Sequence, residues 1–337
     1  MPNLSTEVTE VSTALGTLGF NSVDEALEAR PAAMIGVSDA VWLRVGRSVS
    51  NPPLRAIAQT AWENGSAFLA AEDGLRSRKP VRVEWRGPNQ TPGFDLLPID
   101  LRIDHVFLVS CKYLSHILFN ASPPHLFDRL LASRHGAPEA DWYLEVARDA
   151  YLAFYSDVRQ YLASEVTLPV EADRLEPHHR AEISARLRGP NLPPQLRERY
   201  RDLCAAVGSA TAEKWTSRLT TAAAREEMLW RLLRIGSAPY YVLGSSKTAS
   251  LRLRVYTPWD WRHEFALRSL DISPDPQAGQ PVVRWKADVR RRADLAEIPV
   301  AGHVEVRWSH GRFCGHPEAK VYLDTPHGNV PGYVPLE

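Results

Sequence analysis

The stretch PIDLRIDHVFLVSCKY, residues 98–113, constrains the fold more than any other part of the chain. Its first half alternates, with Ile99, Leu101 and Ile103 on one side, and its second half is almost continuously apolar. Alternation at period two marks a half-buried strand, and a short unbroken apolar run suits a buried one. Only Asp104 and His105 intervene, a tight-turn length, so the two runs are predicted to form an antiparallel hairpin. At the end of the second run stands Lys112, one of six lysines among forty basic residues.

Around this hairpin the pattern changes several times. Residues 1–50 read as short helices, NSVDEALEA and SDAVWLRVGRSV among them, each opened by a polar cap. NPP at 51–53 breaks the chain, and apolar spacing predicts a helix from Leu54 to about Ala71. VRVEWRG (81–87) adds a strand before the hairpin, and a helix is expected from about Leu114. Residues 124–235 read as helical almost throughout, with RGPNLPP (188–194) as a breaker. From Pro239 short strands punctuated by Gly and Pro follow. The expected class is α+β, organised as a 1–50 helical segment, a 51–135 α/β core, a 136–238 helical region and a 239–337 β-rich C-terminal domain. A length of 337 residues agrees with more than one domain.

Forty acidic residues balance forty basic ones, so bulk charge points to no polyanionic partner and any nucleic-acid surface must be a local patch. Cys111, Cys204 and Cys314 are odd in number and far apart, which argues against a disulfide framework. No secretory signal pattern or membrane-length apolar run is read, so a cytoplasmic location is expected.

Parity on the hairpin places Asp100 with Arg102 and Asp104 on one face, and Ser110 with Lys112 across from Asp100. Carboxylates beside a lysine are the groups that metal-assisted phosphodiester hydrolysis uses, the acids holding the ion and the cation offsetting developing charge. On these residues, PIDLRIDHVFLVSCKY preceded by a helix carrying Glu63, the segment 54–135 resembles the PD-(D/E)XK nuclease superfamily with its restriction-endonuclease-like fold. The resemblance implies Mg²⁺ (or Mn²⁺) bound by Asp100, or by Asp95 in GFDLLP, together with Glu63 and the backbone carbonyl of Cys111. It implies Lys112 as the catalytic lysine. It also exposes a departure: the middle acidic position is Ser110, so the motif reads SCK.

The function expected from the resemblance is metal-dependent cleavage of DNA, in restriction, phage defence or recombination, alone or with partner subunits. A catalytically inactive DNA-binding or scaffolding relative is the first alternative, and an interaction module whose hairpin is a plain sheet edge is the second. In the latter, Lys112 lays its stem along apolar surface and reaches water.

Other motifs carry less. LGSSKTASL holds Gly244, Lys247 and Thr248 but lacks the first glycine and following helix of a phosphate loop, so a hairpin turn is expected. His310, Cys314 and His316 fall one short of a closed zinc set. Glu318 and Lys320, with Glu305, repeat an acid–x–lysine spacing without the Asp. Arg252, Arg254, Arg284, Lys286, Arg290, Arg291 and Arg292, interleaved with tryptophans, form the candidate nucleic-acid contact, against the alternative that the tryptophans fill a core.

Overall fold

The computed structural model describes residues 4–87, 98–113, 117–131, 141–187, 192–245, 250–309 and 311–337. The chain begins with α1 (Leu4–Gly16) and α2 (Val23–Ala29), then the short β1 (Met34–Ile35), α3 (Asp39–Ser48) and α4 (Pro52–Ala70). Strands β2 (Val83–Trp85), β3 (Leu101–Ile103), β4 (Phe107–Tyr113) and β5 (Ile117–Ala121) follow. The middle holds α5 (Trp142–Val146), α6 (Arg148–Tyr161), α7 (Pro177–Arg186), α8 (Pro194–Arg218) and α9 (Ala222–Leu232). Then come β6 (Tyr240–Ser245), β7 (Ser250–Val255), α10 (Pro258–Glu264), β8 (Phe265–Pro274), β9 (Val282–Arg291), β10 (Glu297–Arg307), β11 (Glu318–Leu323) and β12 (Tyr333–Pro335).

These strands build two sheets. One is mixed, in the order β1-β2-β3-β4-β6-β7-β12, and the other is antiparallel, β5-β11-β10-β9-β8. The class is α+β, as expected. The expected hairpin forms, with Leu101 opposite Val109 and Ile103 opposite Phe107. Asp104 and His105 take φ of 47° and 61°, and the Val106 amide closes the turn onto the Ile103 carbonyl at 3.0 Å. Two consecutive left-handed residues match the right-handed twist of the strands they join. Asp104 also accepts the Val81 and Arg82 amides, at 2.9 and 2.8 Å, tying β2 to this end.

Two differences from the sequence reading stand out. In place of a helix from about Leu114, residues 117–121 form β5, which pairs with β11 in the second sheet. A short apolar run has no periodicity that separates strand from helix, and here distant pairing decides it. The strands after residue 239 also do not form one sheet: β6, β7 and β12 extend the hairpin's sheet, while β8 to β11 join β5. β6 lies parallel to β4, with Val109 beside Tyr241, and the helices α5–α9 lie in the connection.

Both faces of the mixed sheet are covered. Val83, Trp85, Leu101, Ile103, Val109, Tyr241 and Leu243 pack against Val8, Val11 and Leu15 of α1 and Ile57 and Phe68 of α4. Tyr240, Val242, Leu253 and Val255 face the larger core shared by α5–α9 and the second sheet. Strands buried on both sides read as unbroken apolar runs, which explains VFLVSC and YYVL. Backbone contact locks α1 to α4: a Cβ at Gly16 would lie 2.1 Å from the Trp62 carbonyl oxygen, and one at Gly65 2.0 Å from that of Thr13. This contact fixes the face that α1 turns to the sheet. Among the described residues no helix is long and apolar enough to cross a membrane.

Candidate active site

The site is the end of the hairpin away from the Asp104 turn. β3 begins at Leu101, so Asp100 sits one step beyond the last paired residues, its amide still bonded to the Val109 carbonyl at 2.9 Å. Its side chain folds back on β4: Oδ2 accepts the Cys111 amide at 2.6 Å and the Ser110 hydroxyl at 3.3 Å. In an antiparallel ladder the N–H and C=O of one residue face the same neighbour. Cys111 therefore turns its carbonyl, as well as its amide, toward the Asp100 side. The next carbonyl, that of Lys112, faces β6, where a Cβ at Gly244 would stand 1.9 Å from it.

Lys112 is half-buried, and its charge and that of Asp100 act on each other. Burial raises the Asp100 pKa above the usual carboxylate value, while Lys112, the Cys111 amide, the Ser110 hydroxyl and Arg234 oppose the rise. Burial lowers the Lys112 pKa; Asp100 resists this and Arg234 adds to it. Both shifts express the cost of removing a charge from water, reduced by the opposite charge beside it. Ser110, fully buried, occupies the motif's middle position and uses its hydroxyl to orient Asp100.

A second carboxylate reaches this region from α1, and the motif reading passes over it. Glu10 is 9 % exposed, and its Oε2 accepts the Trp85 indole N–H at 2.6 Å. Its pKa is pushed up to about 8, first by burial and next by the charge of Asp100, with Trp85 and Lys112 pulling the other way. Glu7, one turn earlier and equally buried, instead pairs with Arg44 through bonds of 2.9 and 3.0 Å. The sequence did hold a signal for Glu10: it lies in STEVTEVSTALG beside Val11 and Ala14, on a helix that buries almost every side.

Glu63, the expected helical carboxylate, does not join the site. It is exposed on α4 and accepts a hydrogen bond from Gln59 at 2.9 Å. Its neighbour Asn64, about 100° further round the helix, faces inward. Asn64 donates to the Gly244 carbonyl at 2.9 Å and accepts from Arg252 Nε at 2.9 Å, linking α4, β6 and β7. Asp95 lies outside the described residues.

Among the described residues, no three His, Cys, Asp or Glu side chains are grouped so as to hold a metal ion. The oxygen donors at this end are the Asp100 and Glu10 carboxylates and the Cys111 carbonyl. One or two carboxylates completed by water and substrate phosphate suit Mg²⁺, a hard cation that keeps much of its hydration, so the donor chemistry fits.

The other sequence candidates are paired within the molecule or lie elsewhere. Arg254 meets Asp73 at 3.5 Å, Arg284 meets Asp275 at 2.6 Å, and Lys286 meets Asp288 at 3.8 Å. Arg290 meets Glu297 at 2.7 Å and Arg291 meets Asp294 at 3.1 Å. Arg292 donates to the Arg262 and Phe265 carbonyls at 2.9 and 3.1 Å. Trp261 and Trp285 are buried core residues, whereas Trp259 is exposed. Gly244 belongs to β6, which pairs antiparallel with β7; Lys247, Thr248 and His310 lie outside the described residues. Lys320 approaches Glu318 at 3.5 Å within the second sheet.

Beside Ser110 and Lys112 is a cavity of about 20 Å³, bordered also by Arg234, Tyr240, His327 and Tyr333. When the chain is compared with models of protein families, with curated proteins and with solved structures, it matches none of them.

Proposed function

We propose that this protein is a metal-dependent nuclease-like hydrolase of DNA phosphodiester bonds, with its active centre at the Asp100–Lys112 end of the β3–β4 hairpin. The observation that carries this reading is the meeting of a carboxylate and a lysine from adjacent strands, half out of water, with a second buried carboxylate from α1. Asp100 is close enough to raise the Glu10 pKa, and an acid held neutral by burial and a neighbouring carboxylate is poised to exchange its proton for a cation. Asp100, Glu10 and the Cys111 carbonyl would hold Mg²⁺ or Mn²⁺, which neutralises phosphate charge and acidifies bound water.

The protein's own groups do the rest. Lys112 offers its ammonium to the charge that builds on the phosphate, in a partly desolvated position where such stabilisation is worth more than in water. Ser110 and the Cys111 amide hold the Asp100 carboxylate in one orientation. Glu10 takes the helical carboxylate's role that the resemblance gave to Glu63. Restriction, phage defence or recombination, with or without partner subunits, are the settings that such an activity fits.

The decisive assay incubates plasmid, single-stranded DNA and RNA with the protein in Mg²⁺ or Mn²⁺, beside Asp100→Ala, Lys112→Ala and Glu10→Gln. Divalent-dependent cleavage of DNA that all three substitutions suppress is the expected result. Cleavage indifferent to them removes the proposed centre. A second reading, a DNA-binding scaffold without cleavage, draws on Ser110 at the acidic position and the small cavity. DNA binding with no cleavage in either metal would favour it.

A further inference from the structure

We infer that Asn64 is a positioning residue for Lys112: it holds the end of β6 from the α4 side of the mixed sheet and, through Gly244, fixes where the Lys112 backbone lies. The inference rests on the proposed phosphodiesterase reading for the reaction that Lys112 serves, and it adds a residue that the hairpin motif does not contain.

Asn64 is 1 % exposed, a place where an unpaired amide is costly. Both ends of its side chain are used. Nδ2 donates to the Gly244 carbonyl and Oδ1 accepts from Arg252 Nε, each at 2.9 Å. A carbonyl only accepts and a guanidinium only donates, so a single orientation of the amide satisfies both. The bonds tie α4 to two neighbouring strands, β6 and β7, which pair antiparallel with Gly244 opposite Leu251.

What they hold is the ground on which Lys112 stands. Lys112 and Gly244 are partners in the parallel β4–β6 pairing, and each is next to last in its strand. Element ends fray at low cost unless something ties them down. Gly244 also brings the two backbones unusually close. A Cβ there would lie 1.9 Å from the Lys112 carbonyl oxygen, 2.7 Å from its carbonyl carbon and 3.0 Å from its Cα. Glycine inside a strand marks such an approach, and a shift of Gly244 passes straight to Lys112. The Lys112 side chain borders the small cavity with Tyr240 and Val242, on the sheet face away from α4. Asn64 therefore acts through the strand and not by touching a ligand.

The next residue of α4 does the same for α1. Gly65 presses on Thr13, in the helix that carries Glu10. Adjacent positions of one helix thus refer the lysine and the α1 carboxylate to a common backbone. Reacting groups need such support, because a displacement of about 1 Å can cost roughly a hundredfold in rate.

The test uses the full chain. Asn64→Asp keeps the shape and the acceptor for Arg252 but puts an oxygen in place of the donor to Gly244. Gly302→Ala, a crowded substitution in the other sheet, controls for lost stability. In each folded protein, acetylation of Lys112 by acetic anhydride is measured against that of Lys286 by peptide mass spectrometry. Asn64→Asp should raise the Lys112 to Lys286 ratio severalfold, and Gly302→Ala should leave it at the wild-type value. In the plasmid assay Asn64→Asp should lower kcat about tenfold to a hundredfold with little change in KM for DNA, while Gly302→Ala keeps the wild-type kcat.

Hydrogen exchange of the wild type needs no variant to fold: the ends of β4 and β6 should exchange as slowly as the middle of α4. Fast exchange at those ends beside a protected α4 overturns the tether. So does Lys112 acetylation that is unchanged in Asn64→Asp, or changed equally in Gly302→Ala. Raised acetylation in Asn64→Asp, with no DNA cleavage by the wild type, keeps the positioning role and removes the nuclease reading. Cleavage with unaltered kcat in Asn64→Asp keeps the nuclease reading and removes the positioning role.

Discussion

The two sheets handle charge in opposite ways. On the antiparallel sheet, Arg284, Lys286 and Arg290 meet Asp275, Asp288 and Glu297 within the same sheet or its turns, with the cations well exposed. At the open end of the hairpin in the mixed sheet, Asp100, Lys112, Glu10 and Arg234 interact where burial perturbs the ionisation of three of them. Exposed pairs contribute about 0–1 kcal/mol each and are easily replaced. Partly desolvated charges cost several kcal/mol unless well met, and they persist where chemistry or specificity uses them. The contrast separates charges that stay in water and solvate the fold from a cluster that burial holds partly out of it.

The sharpest way to break this contrast is to remove one lysine from each sheet. Lys112→Ala should lower kcat for DNA cleavage by about 10²–10³-fold or more, the usual cost of losing one preorganised charge-stabilising donor. Lys286→Ala should leave the rate unchanged. Equal effects from the two, measured as initial rates in Mn²⁺, would dissolve the distinction.

Next in size are two glycines with similar steric demands and different expected consequences. A Cβ at Gly302 would meet the Trp285 ring at 2.3 Å and the Tyr322 carbonyl oxygen at 2.2 Å; one at Gly65 would meet the Thr13 carbonyl oxygen at 2.0 Å. Each alanine should cost about 1–3 kcal/mol in denaturant titration, the range for overpacked interiors. Only Gly65→Ala should also reduce turnover, because separating α1 from α4 moves Glu10.

Smaller, but with a defined sign, is the pH dependence of stability. The folded Glu10 holds its proton up to about 8, while the unfolded one releases it near the ordinary 4.5. Between those values the unfolded state binds fewer protons, so this group makes stability fall as pH rises through the window and level off above it. Glu10→Gln should remove that slope, measured from urea midpoints at pH 5 and pH 8. The smallest effect belongs to the antiparallel sheet: Arg290→Ala should change stability by no more than about 0.5 kcal/mol, less still in high salt.

The hairpin was legible in the sequence because two local signals agreed, a strand pattern on each side and a two-residue turn between. Asp100 and Lys112 followed from its parity. α4 was likewise readable from NPP and the spacing of its apolar residues. Glu63 misled because helix membership says nothing about facing: only the close packing of α1 on α4 shows that Asn64 turns inward and Glu63 outward. Glu10 and Arg234 interact with Asp100 and Lys112 from 90 or more residues away, a separation that no local window spans. The division of the later strands between two sheets had the same cause, since pairing partners are set by tertiary packing rather than by strand propensity.

The parallel contact of β4 with β6 has a kinetic consequence. Val109 and Tyr241 are neighbours in the sheet but more than a hundred residues apart in the chain. During synthesis the hairpin emerges long before its partner, leaving an apolar strand with an unsatisfied edge while the intervening helices are made. Distant pairings of this kind form late and slowly, and such edges invite intermolecular pairing. A fragment ending before Tyr240 should therefore aggregate through VFLVSC, and the full chain should gain its Lys112 environment only in its last folding step.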